Sequence, residues 1–208
     1  MIVTSLSVSL LDIRPLPKEI DQWLSLLRDH SPENAEHTER TAKKIQSFLK
    51  YLRFMNTRLI EQMRLGAMLH DIGKIRVPQH LLLKQGELTK EDWAEIRRHP
   101  THAFEILTEA GLSGPLIEIA HCHHERWDGK GYPNGLSEND IPVSARIFAL
   151  VDQHDALIHP RSYRNRQPDL DEVRFRIGEE RGRTFDPDIA NLFLEYISPV
   201  TCGRDQQH

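Results

Sequence analysis

Seven of the twelve histidines in this 208-residue chain fall within one 55-residue stretch: His70, His80, His99, His102, His121, His123 and His124. The chain has only two cysteines, Cys122 and Cys202. Imidazoles crowded in this way point to metal or catalytic chemistry that does not use thiolate. His70-Asp71 closes an apolar run, LIEQMRLGAMLHD. A histidine and an acid at such a place cost free energy unless each is satisfied. The plain alternative is a hydrogen-bonded core histidine beside a helix-terminal Asp. His123 and His124 are adjacent near the end of LIEIAHCHHER. Neighbours on a helix point about 100° apart, so both reach one cluster only if the helix end aims at it; otherwise they are polar helix surface. His99 precedes Pro100 and is expected to end its helix, where the dipole favours a histidine in any case. His37 follows Glu33 by four residues, so the two share a helix face, either as ligands or as an exposed pair. Asp152 lies in ALVDQHDAL, inside an apolar helix, where a carboxylate implies a ligand or hydrogen-bond role. Asp155, three residues on, could share its face. Nitrogen and oxygen ligands without thiolate suit iron, manganese, zinc or nickel rather than a structural zinc. A bridging aspartate would let two metals sit about 3.5–4 Å apart, the spacing used for phosphoester hydrolysis.

These side chains need helices to carry them, and the chain reads as helix after helix. Ser31-Pro32 is an N-cap signal with proline at the first helical position, opening a helix to about Arg53. LIEQMRLGAMLHD is a largely buried helix that Gly73 stops. Thr89 with Asp92 starts TKEDWAEIRRH, which Pro100 ends. A further helix runs to Gly111, and Gly114-Pro115 opens LIEIAHCHHER. DGKGYPNGLSENDIP is a turn-rich loop. VSARIFALVDQHDALIH, QPDLDEVRFRIGEE and FDPDIANLFLEYI are helices, the last capped by Asp186 with Pro187 behind it. The fold class expected is all-α: an N-terminal arm with a short helix over residues 1–30, one domain over 31–200, and a frayed tail over 201–208. Trp23, Leu24, Leu26 and Leu27 offer an apolar face, which packs on the same domain or meets a partner or a second copy.

Composition narrows the function classes. Hydrophobic residues are 38% and charged residues 28%, enough for a packed core. Lys plus Arg is 27 and Asp plus Glu is 31, a formal net charge of -4, so the chain as a whole is no nucleic-acid polymer binder. From Arg161 to Arg183 there are seven arginines, but five acids in the same stretch leave it only +2, a solvated or paired helix face. No apolar run approaches the roughly 18 residues of a membrane span. The N-terminus lacks the basic start and cleavage site of a signal peptide. A cytoplasmic setting is expected, in keeping with so few cysteines.

LHDIGKI (Leu69 to Ile75), His99-Pro100, HHERWDGKGYPNGL (His123 to Leu136), IPVSARI and VDQHDAL together resemble the HD-GYP family. This is the branch of the HD metal-dependent phosphohydrolases that degrades cyclic di-GMP. The resemblance covers roughly residues 31 to 197. It implies a compact HD-type helical bundle with the GYP loop beside a metal site. By the same resemblance His37, His70, Asp71 and Asp152 hold one metal, with Asp71 bridging to a second on His99, His123 and His124. Glu33 matches an acid that holds a third metal in some members, so two or three divalent ions are implied, most often iron, with manganese also active. Lys74 matches a lysine near the scissile phosphate, and Tyr132 lies in the loop beside the substrate. Arg161 and Arg164 match positions that meet phosphate or guanine. The activity implied is attack of a metal-bridged hydroxide on phosphorus, opening cyclic di-GMP to pGpG and then GMP, with Asp71 and Lys74 as catalytic residues. Other readings are a hydrolase of another cyclic dinucleotide or nucleotide, and a non-catalytic receptor. Partners implied are cyclic di-GMP and, through signalling roles in the family, diguanylate cyclases or a separate regulatory protein; a homodimer is compatible. Only about 30 residues precede the first ligand helix, too few for the sensory domain many members carry. The chain departs from the family pattern at Ser162, where proline is usual, and at His154, usually apolar or aromatic; His154 is expected to be packed or on the surface, and Cys122 to be a core thiol.

Overall fold

Caps and prolines set most helix starts. The computed structural model describes residues 19–159 and 166–198, and the side chains of all of these except 32–35. Its α-helices are α1 (Glu19–His30), α2 (Pro32–Tyr51), α3 (Thr57–Leu69), the single turn α4 (Gln79–Leu82), α5 (Lys90–Ile96), α6 (His99–Glu109), α7 (Pro115–Cys122), α8 (Val143–Ile158), α9 (Leu170–Glu179) and α10 (Pro187–Tyr196). No strand occurs among the described residues, which bears out the all-α reading. Asn56 accepts from Leu59 N at 3.1 Å to cap α3. Thr89 and Asp92 exchange hydrogen bonds as a capping box on α5. Asp186 accepts from the amides of Asp188 and Ile189 to cap α10. Proline stands in the first turn of α2, α6, α7 and α10, where its missing N–H is not needed.

Two apolar clusters share α3. One gathers Phe48 of α2, Met63 and Ala67 of α3, Phe148 and Val151 of α8, and Phe193 of α10. The other gathers Leu27 of α1, Leu69 of α3, Leu107 of α6, and Leu116 and Ala120 of α7. Each fully buried phenylalanine contributes roughly 1.5–3 kcal/mol by leaving water. Apolar on both faces, α3 runs through the interior, and its end delivers His70 and Asp71 there, 1% and 3% exposed.

Two local expectations change. Helix α3 is not stopped by Gly73: it ends at Leu69, and Gly73 lies inside the 3-10 turn that follows (Ile72–Arg76). His99 opens α6 and does not end α5, because Pro100 is accepted in a first turn more readily than it terminates one. Trp23 and Leu24 pack on the second cluster with buried Leu27, leaving Leu26 of that face exposed. Cys122 packs with Ile141 and Ala145, and burial pushes its thiol up to about 12, so it is a core thiol. The arm through residue 18, Arg161, Ser162, Arg164 and the tail from 199 lie outside the described residues.

Gly73 explains how Asp71 meets α6. A Cβ on Gly73 would lie 1.9 Å from the carbonyl oxygen of His99 and 2.6 Å from the amide of Ala103. Only a bare Cα lets the 3-10 turn press onto the start of α6. Gly73→Ala should therefore destabilise the fold by at least roughly 1–3 kcal/mol, the usual cost of overpacking, in urea unfolding monitored by circular dichroism. Wild-type stability in that variant would refute the close approach.

Candidate metal centre

Three helix ends build the site. His70 caps the C-terminus of α3, His123 caps that of α7, and His99 follows the end of α5. Each turns its Nδ1–H back to the carbonyl three residues earlier: His70 to Ala67 at 2.8 Å, His99 to Ile96 at 2.9 Å, His123 to Ala120 at 3.1 Å. The last carbonyls of a helix lack partners within it, so these bonds satisfy the helix end and fix the tautomer together. Every Nε2 is then a bare lone pair aimed away from its own helix.

Those lone pairs converge. The Nε2 atoms of His99 and His123 are 3.3 Å apart. With both Nδ1 atoms committed as donors, neither Nε2 carries a hydrogen, and two such lone pairs repel unless a cation lies between them. Burial, outweighing neighbouring Asp71, lowers His99 to about 3, and burial lowers His124 to about 4. His123 is held well below the usual imidazole range by burial and by its histidine neighbours. These rings stay neutral at physiological pH, as ligands must be. The helix C-termini at His70 and His123 add the negative end of their dipoles, which favours a cation.

Asp71 faces two groups at once. Its Oδ1 lies 3.3 Å from His99 Nε2 and its Oδ2 3.3 Å from His70 Nε2, while Lys74 Nζ donates to Oδ2 at 2.6 Å. Burial opposes its charge, but Lys74 holds the carboxyl well below the ordinary range. On the His70 side, His37 Nε2 donates to Asp152 Oδ1 at 2.8 Å and His37 Nδ1 to Asp155 Oδ2 at 2.7 Å. Burial disfavours a charged His37, but the two carboxylates win and raise it to about 9. Asp152, half-buried, is pulled far below the carboxylate range by His37. The ligand atoms of His99, His123 and His124 lie within 4.8 Å of one another, as do those of His37, His70 and Asp152, and those of His70, Asp71 and His123. Seven residues singled out in the sequence are thus brought to one centre; six offer donor chemistry that fits divalent cations, and His37, a cation between two carboxylates here, would release a proton to join them. The side chain of Glu33, and Arg161 and Arg164, lie outside the described residues.

The turn-rich loop closes one side. Glu125, 3% exposed, accepts from the amides of Asn134 at 2.7 Å and Leu136 at 3.0 Å, tying the loop to the end of α7. Gly131 passes so close that a Cβ would lie 2.4 Å from the amide of Arg126. Tyr132 then stacks on His124, ring centroids 4.6 Å apart at 24°. A cavity of about 510 Å³ opens beside this pair, lined also by His123, Asp152, Gln153 and Arg97. That is within the roughly 300–1,000 Å³ usual for small-ligand sites.

Sequence reasoning left three residues unassigned. Asp155 is not aimed at the centre with Asp152; it orients His37 and is itself gripped by Arg40, whose Nε and Nη2 each donate at 3.0 Å. Glu125 is the third letter of the HHE string, which by itself gives it no role. Arg97 carries no sequence signal that sets it apart. His154, by contrast, is packed as expected, with Nδ1 3.0 Å from Lys44 Nζ and its ring edge-on to Phe193.

The profile of the HD domain family matches residues 22–189. Over 187 residues the chain is 37% identical to a cyclic di-GMP phosphodiesterase of Thermotoga maritima, covering 88% of this chain and 49% of that one. Over 190 residues it is 35% identical to 3'3'-cGAMP-specific phosphodiesterase 2 of Vibrio cholerae, covering 90% of this chain and 36% of that one. The chain thus spans half or less of the length of these curated relatives. Among solved structures it resembles Bd1817, a HDG"Y"P protein from Bdellovibrio bacteriovorus, with a TM-score of 0.63 at 21% identity, covering 77% of this chain and 51% of that one. At that identity the likeness is one of fold.

Groups that orient a ligand histidine are usually worth about 10–100-fold in metal affinity. Asp155→Asn should therefore weaken divalent metal binding by that factor, measured by competition with a metal buffer; unchanged affinity would remove Asp155 from the site.

Proposed function

The chain belongs to the HD domain family, and from that premise we propose that it is a metal-dependent phosphodiesterase of the HD-GYP type that hydrolyses cyclic di-GMP to pGpG and on to GMP. The observation that carries the reading is Asp71, whose two oxygens face two separate groups of imidazoles. We assign His37, His70, Asp71 and Asp152 to one cation and Asp71, His99, His123 and His124 to a second, with Glu33 as the candidate ligand of a third. The donor set of imidazole and carboxylate suits iron, with manganese as the alternative. Bound divalent cations supply an acidified water and positive charge against the phosphate.

The protein's own groups do the rest. Lys74, at Asp71, places a further positive charge beside the reacting phosphate, where negative charge builds as the bond breaks. Burial pushes the Tyr132 phenol up, so it remains a hydrogen-bond donor at neutral pH and can bind substrate from the cavity wall. Arg161 and Arg164 are candidate contacts for phosphate or guanine. A second reading keeps the chemistry and changes the substrate to 3'3'-cGAMP, favoured by the Vibrio cholerae relative at nearly equal identity. No helix among the described residues is long and apolar enough to cross a membrane.

The test joins metal analysis of anaerobically purified protein to chromatography of its products from cyclic di-GMP and 3'3'-cGAMP, with Fe(II) or Mn(II) added. Two or three metals per chain with pGpG or GMP formed is the expected result. Metal without turnover of either dinucleotide would sink the substrate assignment, and no metal under any preparation would sink the centre. Asp71→Ala should lose both metal and turnover. Tyr132→Phe should keep its metal and raise KM by about three- to tenfold, the worth of one hydrogen bond; loss of metal there would move Tyr132 from substrate binding to support of His124.

A further inference from the structure

We propose that Arg97 is a substrate-binding residue that takes the second, non-reacting phosphate of a cyclic dinucleotide. The inference rests on the function proposed above and adds a specificity-determining cation to it.

Arg97 follows the end of α5 and lies four residues after Trp93, so the two share a face. Its guanidinium carbon stands 5.9 Å from the Trp93 ring centroid and 5.3 Å from that of Tyr132. Both are within the roughly 6 Å reach of a cation–π contact. Tyr132 in turn stacks on His124. Trp93, Arg97, Tyr132 and His124 therefore form one ladder leading to the metal-ligand cluster. Among the described residues no carboxylate pairs with Arg97, whereas neighbouring Arg98 meets Glu95 at 3.1 Å and Arg126, across the cavity, grips Asp128 through two hydrogen bonds. A guanidinium lying on aromatic faces keeps its N–H edge for a planar, two-oxygen acceptor. Arg97 lines the cavity, and so that edge is offered to a ligand lying in it.

Position decides which phosphate it meets. Arg97 packs on the Tyr132 ring and Tyr132 on His124, and Arg97 lines the same cavity as His123 and His124. The inference therefore assigns the guanidinium to a phosphate further along that cavity than one held at the histidines. A substrate with a single phosphodiester leaves Arg97 unused; a cyclic dinucleotide, with two, engages it.

The test compares kcat/KM for cyclic di-GMP with that for bis(p-nitrophenyl) phosphate, which has one phosphodiester, in the metal-loaded full chain. Arg97→Ala should lower the ratio of the two by about tenfold or more, through KM, as loss of a charge-assisted phosphate contact does. Arg97→Lys, keeping charge but not the fork, should fall between. If Arg97 only props Tyr132, both substrates suffer alike and the ratio stays put, which overturns the assignment. Wild-type protein that cleaves bis(p-nitrophenyl) phosphate but no cyclic dinucleotide overturns the proposed substrate and this inference together. Wild-type turnover of cyclic di-GMP with an unmoved ratio in Arg97→Ala overturns this inference alone.

Discussion

Neutral imidazoles that point their lone pairs at one another repel, and the bundle is arranged to make them do so. His70, His99 and His123 each donate Nδ1–H to a carbonyl at the end of the preceding helix. The ring thereby loses its freedom to choose a tautomer. It also replaces the water that a helix end would otherwise need. Three helix ends then aim three lone pairs, and the C-terminal dipoles at His70 and His123, at one point. The convergence is unfavourable for the bare protein and favourable with cations present, so folding energy from the apolar clusters has to hold it. The long interior helix α3, packed on both faces, supplies that hold.

Close backbone approach is the second requirement, and two glycines meet it. Gly73 lets the 3-10 turn press onto α6 and brings Asp71 against His99. Gly131 lets the loop fold back on the end of α7 and brings Tyr132 against His124. Gly73 lies two residues after Asp71 and Gly131 directly before Tyr132. Glu125 completes the second arrangement by accepting two loop amides with one buried carboxylate. Charge on Glu125 serves the loop, not the cations, which is why a third acidic letter can follow two histidines without being a ligand.

The helices were legible because their caps are local. Thr89 with Asp92, and Asp186 with Pro187, act within one turn of the residue they stop or start. The ligand set was legible because its residue types are rare at apolar positions, and its grouping came from resemblance to the HD-GYP family. Other features depend on tertiary distances. His99 sits between two helices, serving the carbonyl end of one while opening the other; a linear reading assigned it to one alone. Asp155 has the same spacing signal as Asp152, and only packing reveals that it turns to His37 and Arg40. Arg97 is one of two adjacent arginines, and what separates them is that Arg98 finds Glu95 while Arg97 lies on Tyr132.

A chain with net charge -4 that is to bind a substrate with two phosphates must reverse its field locally. Buried Asp71 and half-buried Asp152 deepen the problem, since each is held ionised. Cations at the histidines would invert the sign there, and Lys74 would add to them. That reversal weakens with distance from the metal-ligand cluster, because dissolved ions screen exposed charge over about 8–10 Å. A ligand with one phosphate is served by the cations alone. A ligand with a second phosphate needs a second source of positive charge, set along the cavity and not neutralised by a neighbouring acid. Arg126 is paired with Asp128 in this structure, whereas Arg97 rests on two aromatic faces. Selection between simple diesters and cyclic dinucleotides can therefore reside outside the metal centre, in a residue that leaves the hydrolytic chemistry untouched.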